Sequence, residues 1–136
     1  RIMASILKVD QLQGIATAKN ITVTVGASAT MSMEQGLAKV WYSIDGDAGT
    51  PVFFDSFNCA SITDGGAGLP TINFTNNMNN DDFAVGALSG QTGGGSLSFG
   101  NNTPKTTGDV DVRTMNSSFN PTDTPNLDGI IMGDLA

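Results

Sequence analysis

The sequence of 136 residues contains no histidine and a single cysteine, Cys59. The absence of histidine removes the commonest general base, the Ser-His and Cys-His nucleophile pairings and most zinc sites. One cysteine can form neither an intrachain disulfide nor a thiolate cluster that holds a metal. We therefore predict no catalytic, metal-binding or cofactor-binding residue and expect no enzymatic activity. Glycoside cleavage by two carboxylates stays the open alternative, although the long repeat of β-helical depolymerases is missing.

Charge is also scarce. Only 14% of the residues are charged, against ~25% in an average soluble protein. The net charge is -7, and the six basic residues are scattered along the chain. Because phosphate backbones and anionic membranes attract clustered Lys and Arg, we expect no nucleic-acid partner and no membrane adhesion. Neither an apolar run of ~18 residues nor a signal-peptide pattern occurs, so we also expect no membrane insertion.

Aromatic residues are concentrated in one stretch. Residues 36–74 hold the only Trp, the only Tyr and four of the seven Phe. Runs of β-branched and aromatic residues alternate there with glycine-rich turns, and Asp64-Gly65-Gly66 is the strongest hairpin signal. A meander of this kind has to cover its apolar face with a second sheet or another subunit. We therefore predict four core or interface residues: Trp41, Phe53, Phe57 and Phe74.

Further strand patterns occur on both sides of this stretch. Ile21, Val23 and Val25 alternate with threonines, and we prefer a short strand to a turn of helix for residues 30–36. Residues 83–88, 96–99, 109–115 and 129–133 also have strand character. The sequence therefore predicts an all-β fold, an antiparallel, jelly-roll-like β-sandwich of about eight strands with little helix.

Two kinds of segment stand apart from these strands. Residues 1–18 are interpreted as an N-terminal extended arm or first strand, and residues 19–136 as the β-sandwich domain. The arm carries four candidate anchoring residues that a neighbouring sheet edge could accept: Ile6, Leu7, Val9 and Leu12. Residues 76–82 and 89–95 are predicted to be exposed polar loops, because Asn, Asp and Gly favour turns. A weak cation site is the alternative for Asp and Asn side chains in such positions.

Several short motifs follow one another along the chain. They are "LKVD" and "LQ" near the start, "QGLAK" before Trp41, "DSFN", "ITD", "NFT" with Met78, and "GDLA" at the end. Together they resemble a domain found in tail-fibre and other virion structural proteins of tailed bacteriophages, marine phages especially. The resemblance reaches both ends of the chain, but residues 91–125 match poorly. The motifs are structural, so they imply a place in a virion and no catalytic residues.

The resemblance implies a phage structural protein of the tail-fibre, receptor-binding or tip type, made in the host cytoplasm and exposed on the particle. A capsid decoration protein that stabilises the head is the first alternative, and a cell-surface β-sandwich adhesin unrelated to phages is the second. The implied partners are other virion proteins of the tail or capsid and a host surface glycan or receptor. Phage fibres and many decoration proteins are trimers, so the resemblance also implies a homotrimer.

Trp41 and Cys59 each leave two interpretations open. Trp41 lies in the densest apolar run, which favours the core or a subunit interface. An exposed ring would instead be able to stack on a receptor glycan. For Cys59 we expect a small, buried side chain in a strand, with an intersubunit disulfide or a reactive thiol as the alternative.

Overall fold

A computed structural model describes residues 11–12, 21–25, 29–90, 97–100 and 105–136. The chain divides into two compact units, Arg1–Gly36 and Leu37–Ala136. This boundary lies later than the division between residues 18 and 19 that the sequence led us to expect. The boundary lies later because the two strands that follow residue 20 pair with each other. The arm predicted for residues 1–18 lies outside the described residues, except for Gln11 and Leu12.

The first unit contains an antiparallel hairpin of β1 (Thr22–Val25) and β2 (Ala29–Ser32), followed by the helix α1 (Met33–Gly36). The strand predicted from the alternation in β1 is confirmed. The strand predicted for residues 30–36 is confirmed only in its first half. Met, Glu and Gln are good helix formers, and the Met33 amide donates to the Ile21 carbonyl oxygen at 2.8 Å as the helix begins.

The second unit is a sandwich of two four-stranded antiparallel sheets. Its strands are β3 (Ala38–Asp45), β4 (Val52–Phe57), β5 (Cys59–Asp64), β6 (Pro70–Phe74), β7 (Ala84–Gly90), β8 (Leu97–Gly100), β9 (Asp109–Met115) and β10 (Asn126–Met132). One sheet has the order β4-β3-β10-β7 and is called the Trp41 sheet. The other has the order β5-β6-β9-β8 and is called the Thr71 sheet. The predicted all-β sandwich is confirmed, and β1 and β2 are additional to its eight strands.

The core lies between the inner faces of the two sheets. Alternate residues of each central strand are buried, as the period of two in a strand requires. Each such side chain contributes about 1.5–3 kcal/mol when fully buried, so these faces hold the two sheets together. The buried apolar residues are Val40, Tyr42, Ile44, Ile72, Phe74, Met78, Phe83, Val110, Val112, Leu127 and Ile131.

The hairpin predicted at Asp64-Gly65-Gly66 joins β5 to β6. The Asp64 carboxylate accepts a hydrogen bond from the Gly66 amide at 2.8 Å, which is a local Asx turn. The Gly65 amide donates to the Leu69 carbonyl oxygen at 3.0 Å and closes the turn. Gly66 has φ of 99°, in the region that glycine enters without steric cost.

The polar loop of residues 76–82 differs from its prediction in one respect. Met78, at its centre, is buried in the core and pairs with Leu135 in an isolated β-bridge. The Ala136 amide also donates to the Asn77 carbonyl oxygen at 3.0 Å. The loop is therefore tied to the C-terminal residues and is only partly solvated. The single apolar residue among six Asn and Asp residues was the signal for this contact.

Candidate binding surface

The two outer faces of the sandwich differ in chemistry. On the Thr71 sheet, the Thr71 hydroxyl donates to the Asp111 carboxylate, opposite it on β9. The Asn73 amide nitrogen donates to the hydroxyl oxygens of Ser61 at 3.2 Å and Thr63 at 3.0 Å. On β5, β6 and the facing part of β9, this face is therefore polar, and its side chains bond to one another.

The outer face of the Trp41 sheet carries a row of apolar side chains. Trp41 lies at its centre, opposite Phe57 on β4 and Ile130 on β10. Gly86 on β7 continues the row next to Ile130. The exposed fractions are 37% for Trp41, 51% for Phe57 and 47% for Ile130. We call these four residues the apolar row.

A row of polar residues lies on the same face, two positions along each strand from the apolar row. Ser43 is flanked by Asp55 on β4 and by Asp128 on β10. Leu88, which is 77% exposed, lies opposite Asp128 on β7. Same-face neighbours along a strand are ~6.5–7 Å apart, so the polar row runs beside the apolar row at about that distance. We call Asp55, Ser43 and Asp128 the acidic row.

A shallow groove crosses the face between β10 and β7. Its volume is about 350 Å³, and its lining is mostly apolar. Gly86 has no side chain to fill the space between Ile130 and Leu88, which is why the groove exists. Asp128 places a carboxylate at its edge.

The electrostatic environment of this sheet is negative. Lys39 is the only basic residue on β3, β4, β7 and β10. It is buried, and its Nζ donates to the Leu37 carbonyl oxygen at 2.9 Å. On the inner side, burial raises the pKa of Tyr42 well above its usual range, and Cys59 and Asp128 reinforce the shift. The face therefore offers hydrogen-bond acceptors and no exposed cation on these four strands.

The aromatic residues predicted for the core or an interface separate into two pairs. Phe74 is buried in the core, and Phe53 is partly buried and packs against the core. Trp41 and Phe57 are exposed on the outer face, so they do not belong to the core of this chain, and their place in a subunit interface stays a prediction. The parity of β3 is the reason, because Val40 and Tyr42 face inward and Trp41 must then face outward.

One of the four candidate anchoring residues lies within the described part of the chain. Ile6, Leu7 and Val9 lie outside the described residues. Leu12 is exposed. The anchoring role of all four stays a prediction.

Asn58 forms a junction that sequence reasoning missed. It is the single residue between β4 and β5, where the chain crosses from one sheet to the other, and its φ is 58°. Its Nδ2 donates to the carbonyl oxygens of Lys39 and Asn76, each at 3.1 Å. Its Oδ1 accepts from the Asn76 amide at 2.7 Å, and its carbonyl oxygen accepts from the Thr75 amide at 3.1 Å. The "QGLAK", "DSFN" and "NFT" segments therefore meet at one residue, through its side chain and its backbone carbonyl.

The "GDLA" segment joins the same region through Met78. Leu135 pairs with Met78, and a Cβ on Gly133 would lie 2.8 Å from the Met78 Cε. Glycine is therefore required there for close packing against the core. The "QGLAK", "DSFN", "NFT" and "GDLA" segments thus have structural roles in this sandwich.

Cys59 and the paired carboxylates have structural partners. The Cys59 thiol is half-buried beside the core, and burial raises its pKa. The Asp109 carboxylate accepts from the Thr106 hydroxyl at 2.8 Å, and Asp111 accepts from Thr71. Within the described ranges, no group of three or more His, Cys, Asp or Glu residues is placed to hold a metal ion. None of the helices in those ranges has the length and apolar character needed to span a membrane.

Comparisons with models of protein families, with curated proteins and with solved structures found no match to the chain.

Proposed function

We propose that the chain is a structural protein of a bacteriophage virion, of the tail-fibre or receptor-binding type. The observation that carries the proposal is the junction at Asn58, where the "QGLAK", "DSFN" and "NFT" segments meet. Because the motifs that resemble those of virion proteins lie in the scaffold of this sandwich, their resemblance supports a structural role. The exposed face of the Trp41 sheet is then the surface left for a partner.

The proposed role is non-enzymatic. The protein attaches to other virion proteins through its N-terminal segment, assembles as a homotrimer and presents its exposed face and loops to the host surface. A capsid decoration protein is the alternative within the virion, since a compact sandwich without a shaft suits both positions. A cell-surface adhesin is the alternative outside it.

Immunogold electron microscopy tests the location. Antibodies raised against the purified chain would be applied to virions purified from the source of the gene. We expect label on the tail fibres or their tips, at tens of copies per particle. Label distributed over the head would support decoration instead. Unlabelled virions combined with labelled cell surfaces would contradict a virion role and support the adhesin.

A separate assay addresses the absence of catalysis. The purified chain would be incubated with host polysaccharide, and reducing ends would be measured. We expect no release above the background. Release that disappears on replacing one aspartate, such as Asp55→Asn or Asp128→Asn, would contradict the non-enzymatic role.

A further inference from the structure

We propose that the outer face of the Trp41 sheet binds a neutral glycan, with the apolar row as the stacking platform and the acidic row as the hydrogen-bond acceptor. This inference deepens the proposed function, because it names the ligand class of the adhesive surface. It stands on the arrangement of Trp41, Ile130 and Asp128, which lie on neighbouring strands.

The apolar row matches one side of a sugar ring. A pyranose has C–H groups on its faces and hydroxyl groups around its edge. An exposed indole beside Phe57 and Ile130 on the adjacent strands offers apolar side-chain surface to such a face. A rigid aromatic ring also gives contact area at a low cost in conformational entropy.

The acidic row matches the edge of the ring. Carboxylates accept hydrogen bonds from hydroxyl groups, and such charge-assisted bonds are stronger than neutral ones. Asp55 and Asp128 lie on the two strands that flank Ser43, at ~10 Å from each other by the spacing of adjacent strands. A sugar ring stacked on Trp41 would therefore have acceptors beside it at two positions.

The sign of the charge selects between possible occupants. An anionic polymer would meet Asp55 and Asp128 with no exposed basic residue on these four strands to compensate. A second copy packed face to face across a two-fold axis would bring the acidic row close to its own equivalent, in a chain of net charge -7. The proposed homotrimer is expected to form through other surfaces. A partner that is uncharged and rich in hydroxyl donors has neither conflict.

The groove makes part of this surface concave. Its volume of about 350 Å³ falls near the lower end of the ~300–1,000 Å³ typical of small-molecule clefts. Ile130 and Leu88 form its sides, and Asp128 lies at its edge. One sugar unit on Trp41 and the next in the groove would follow the row from β3 to β7. On the described outer face of β5, β6 and β9, polar side chains bond to one another instead.

Native affinity electrophoresis tests the proposal with the full chain. The gels would contain yeast mannan, dextran or galactan as neutral probes, and heparin as the anionic probe. We expect retardation by at least one neutral polysaccharide and none by heparin. Trp41 is the only tryptophan, so the same polysaccharide should also shield its fluorescence from acrylamide quenching. Failure of all three neutral probes to retard the protein, or retardation by heparin alone, would overturn the proposal.

Variants locate the site on the face. Trp41→Ala should weaken retardation at least roughly tenfold, as expected for an aromatic hot spot. The isosteric Asp128→Asn should weaken it several-fold, and Gly86→Val should do so by filling the groove. Phe119→Ala, which removes an exposed aromatic ring outside the Trp41 sheet, is the matched control and should bind normally. Circular dichroism would confirm that each variant is folded.

Two outcomes of the variant series contradict the site. Equal binding by the wild type, Asp128→Asn and Gly86→Val would place the glycan elsewhere. Shielding of Trp41 that grows with protein concentration without polysaccharide would identify a second copy as the occupant. In both cases, immunogold label on virions would still support the proposed function, so the two proposals fail independently.

Discussion

The phenol ring of Tyr42 occupies the space that a side chain at Gly129 would need. The two residues lie opposite each other on β3 and β10, and a Cβ on Gly129 would overlap Cζ of the Tyr42 ring. Tyr42 is buried, so the ring has no room to move away. Glycine at this central strand position is therefore required by packing and not by its backbone angles.

Gly129→Ala is expected to lower the free energy of unfolding by about 3 kcal/mol, because it overpacks the core at the Tyr42 ring. Gly86→Ala is the matched control on the neighbouring strand. Its new Cβ would meet only Ile130, at 3.4 Å on the outer face, so its effect should stay within about 0.5 kcal/mol. Urea denaturation measures both. Equal midpoints for the two variants would contradict the packing role of Gly129.

The Tyr42 hydroxyl should make the protein less stable at alkaline pH. Among the described residues, this hydroxyl is buried without a hydrogen-bond partner. Its pKa in the folded protein is raised, chiefly by burial, whereas the unfolded chain ionises near the usual value of ~10. Between these values the folded state holds the proton more tightly, so the free energy of unfolding should fall as the pH rises above about 10.

Tyr42→Phe tests this account. The variant should match or exceed the wild type at neutral pH by up to about 1 kcal/mol, because an unpaired hydroxyl costs energy on burial. Above pH ~10 it should lose less stability than the wild type. The comparison is best made in a Cys59→Ala background, since burial also raises the pKa of that thiol. Parallel pH profiles for the two proteins would show that Tyr42 does not cause the slope.

Replacing Asn58 should destabilise the protein in two ways, because its side-chain amide forms hydrogen bonds and because its φ is positive. Asn58→Ala removes hydrogen bonds to Lys39 and Asn76 and keeps a positive φ, so it should cost about 2–4 kcal/mol. Asn58→Gly removes the same bonds but adopts this φ freely, and should be about 1 kcal/mol less damaging. Thermal unfolding compares them. If alanine and glycine are equivalent, the backbone angle carries no cost.

Trp41→Ala should lower the free energy of unfolding only modestly. The ring is 37% exposed on the outer face, so we expect a loss of about 1 kcal/mol, mainly from cross-strand contacts. Phe74→Ala, the matched change in the core, should cost about 3–5 kcal/mol. Chemical denaturation at neutral pH distinguishes the two. A loss for Trp41→Ala as large as that for Phe74→Ala would place the ring in a buried interface.

The N-terminal arm and the trimer are tested together by truncation. Deleting residues 3–13 should leave a folded sandwich, because the eight strands of the second unit lie within Leu37–Ala136. The truncated protein should no longer join virions in a complementation assay. Light scattering of the intact chain at micromolar concentration should give the mass of a trimer. A stable monomer would contradict the trimer, and normal incorporation of the truncated protein would place the anchor elsewhere.

Local sequence patterns determined which residues form strands and which of them share a face. β9 begins and ends where alternation predicted, and the hairpin after Asp64 follows from turn residues that tolerate positive φ. These features depend on neighbours in the chain, so they can be read from the sequence. The absence of histidine and the scarcity of basic residues likewise restrict the chemistry and the partners, because both are properties of the composition alone.

Only the tertiary structure decided which faces are covered. Most residues from 37 to 44 are apolar, so their pattern does not indicate which alternate set faces the core. The burial of Val40 and Tyr42 in the core, together with residues of the other sheet, determines that Trp41 faces outward. The junction at Asn58 and the burial of Met78 depend on segments that are distant in sequence. Burial is a property of the sheets that pack together, because a strand's own pattern defines two faces and the partner sheet covers one of them.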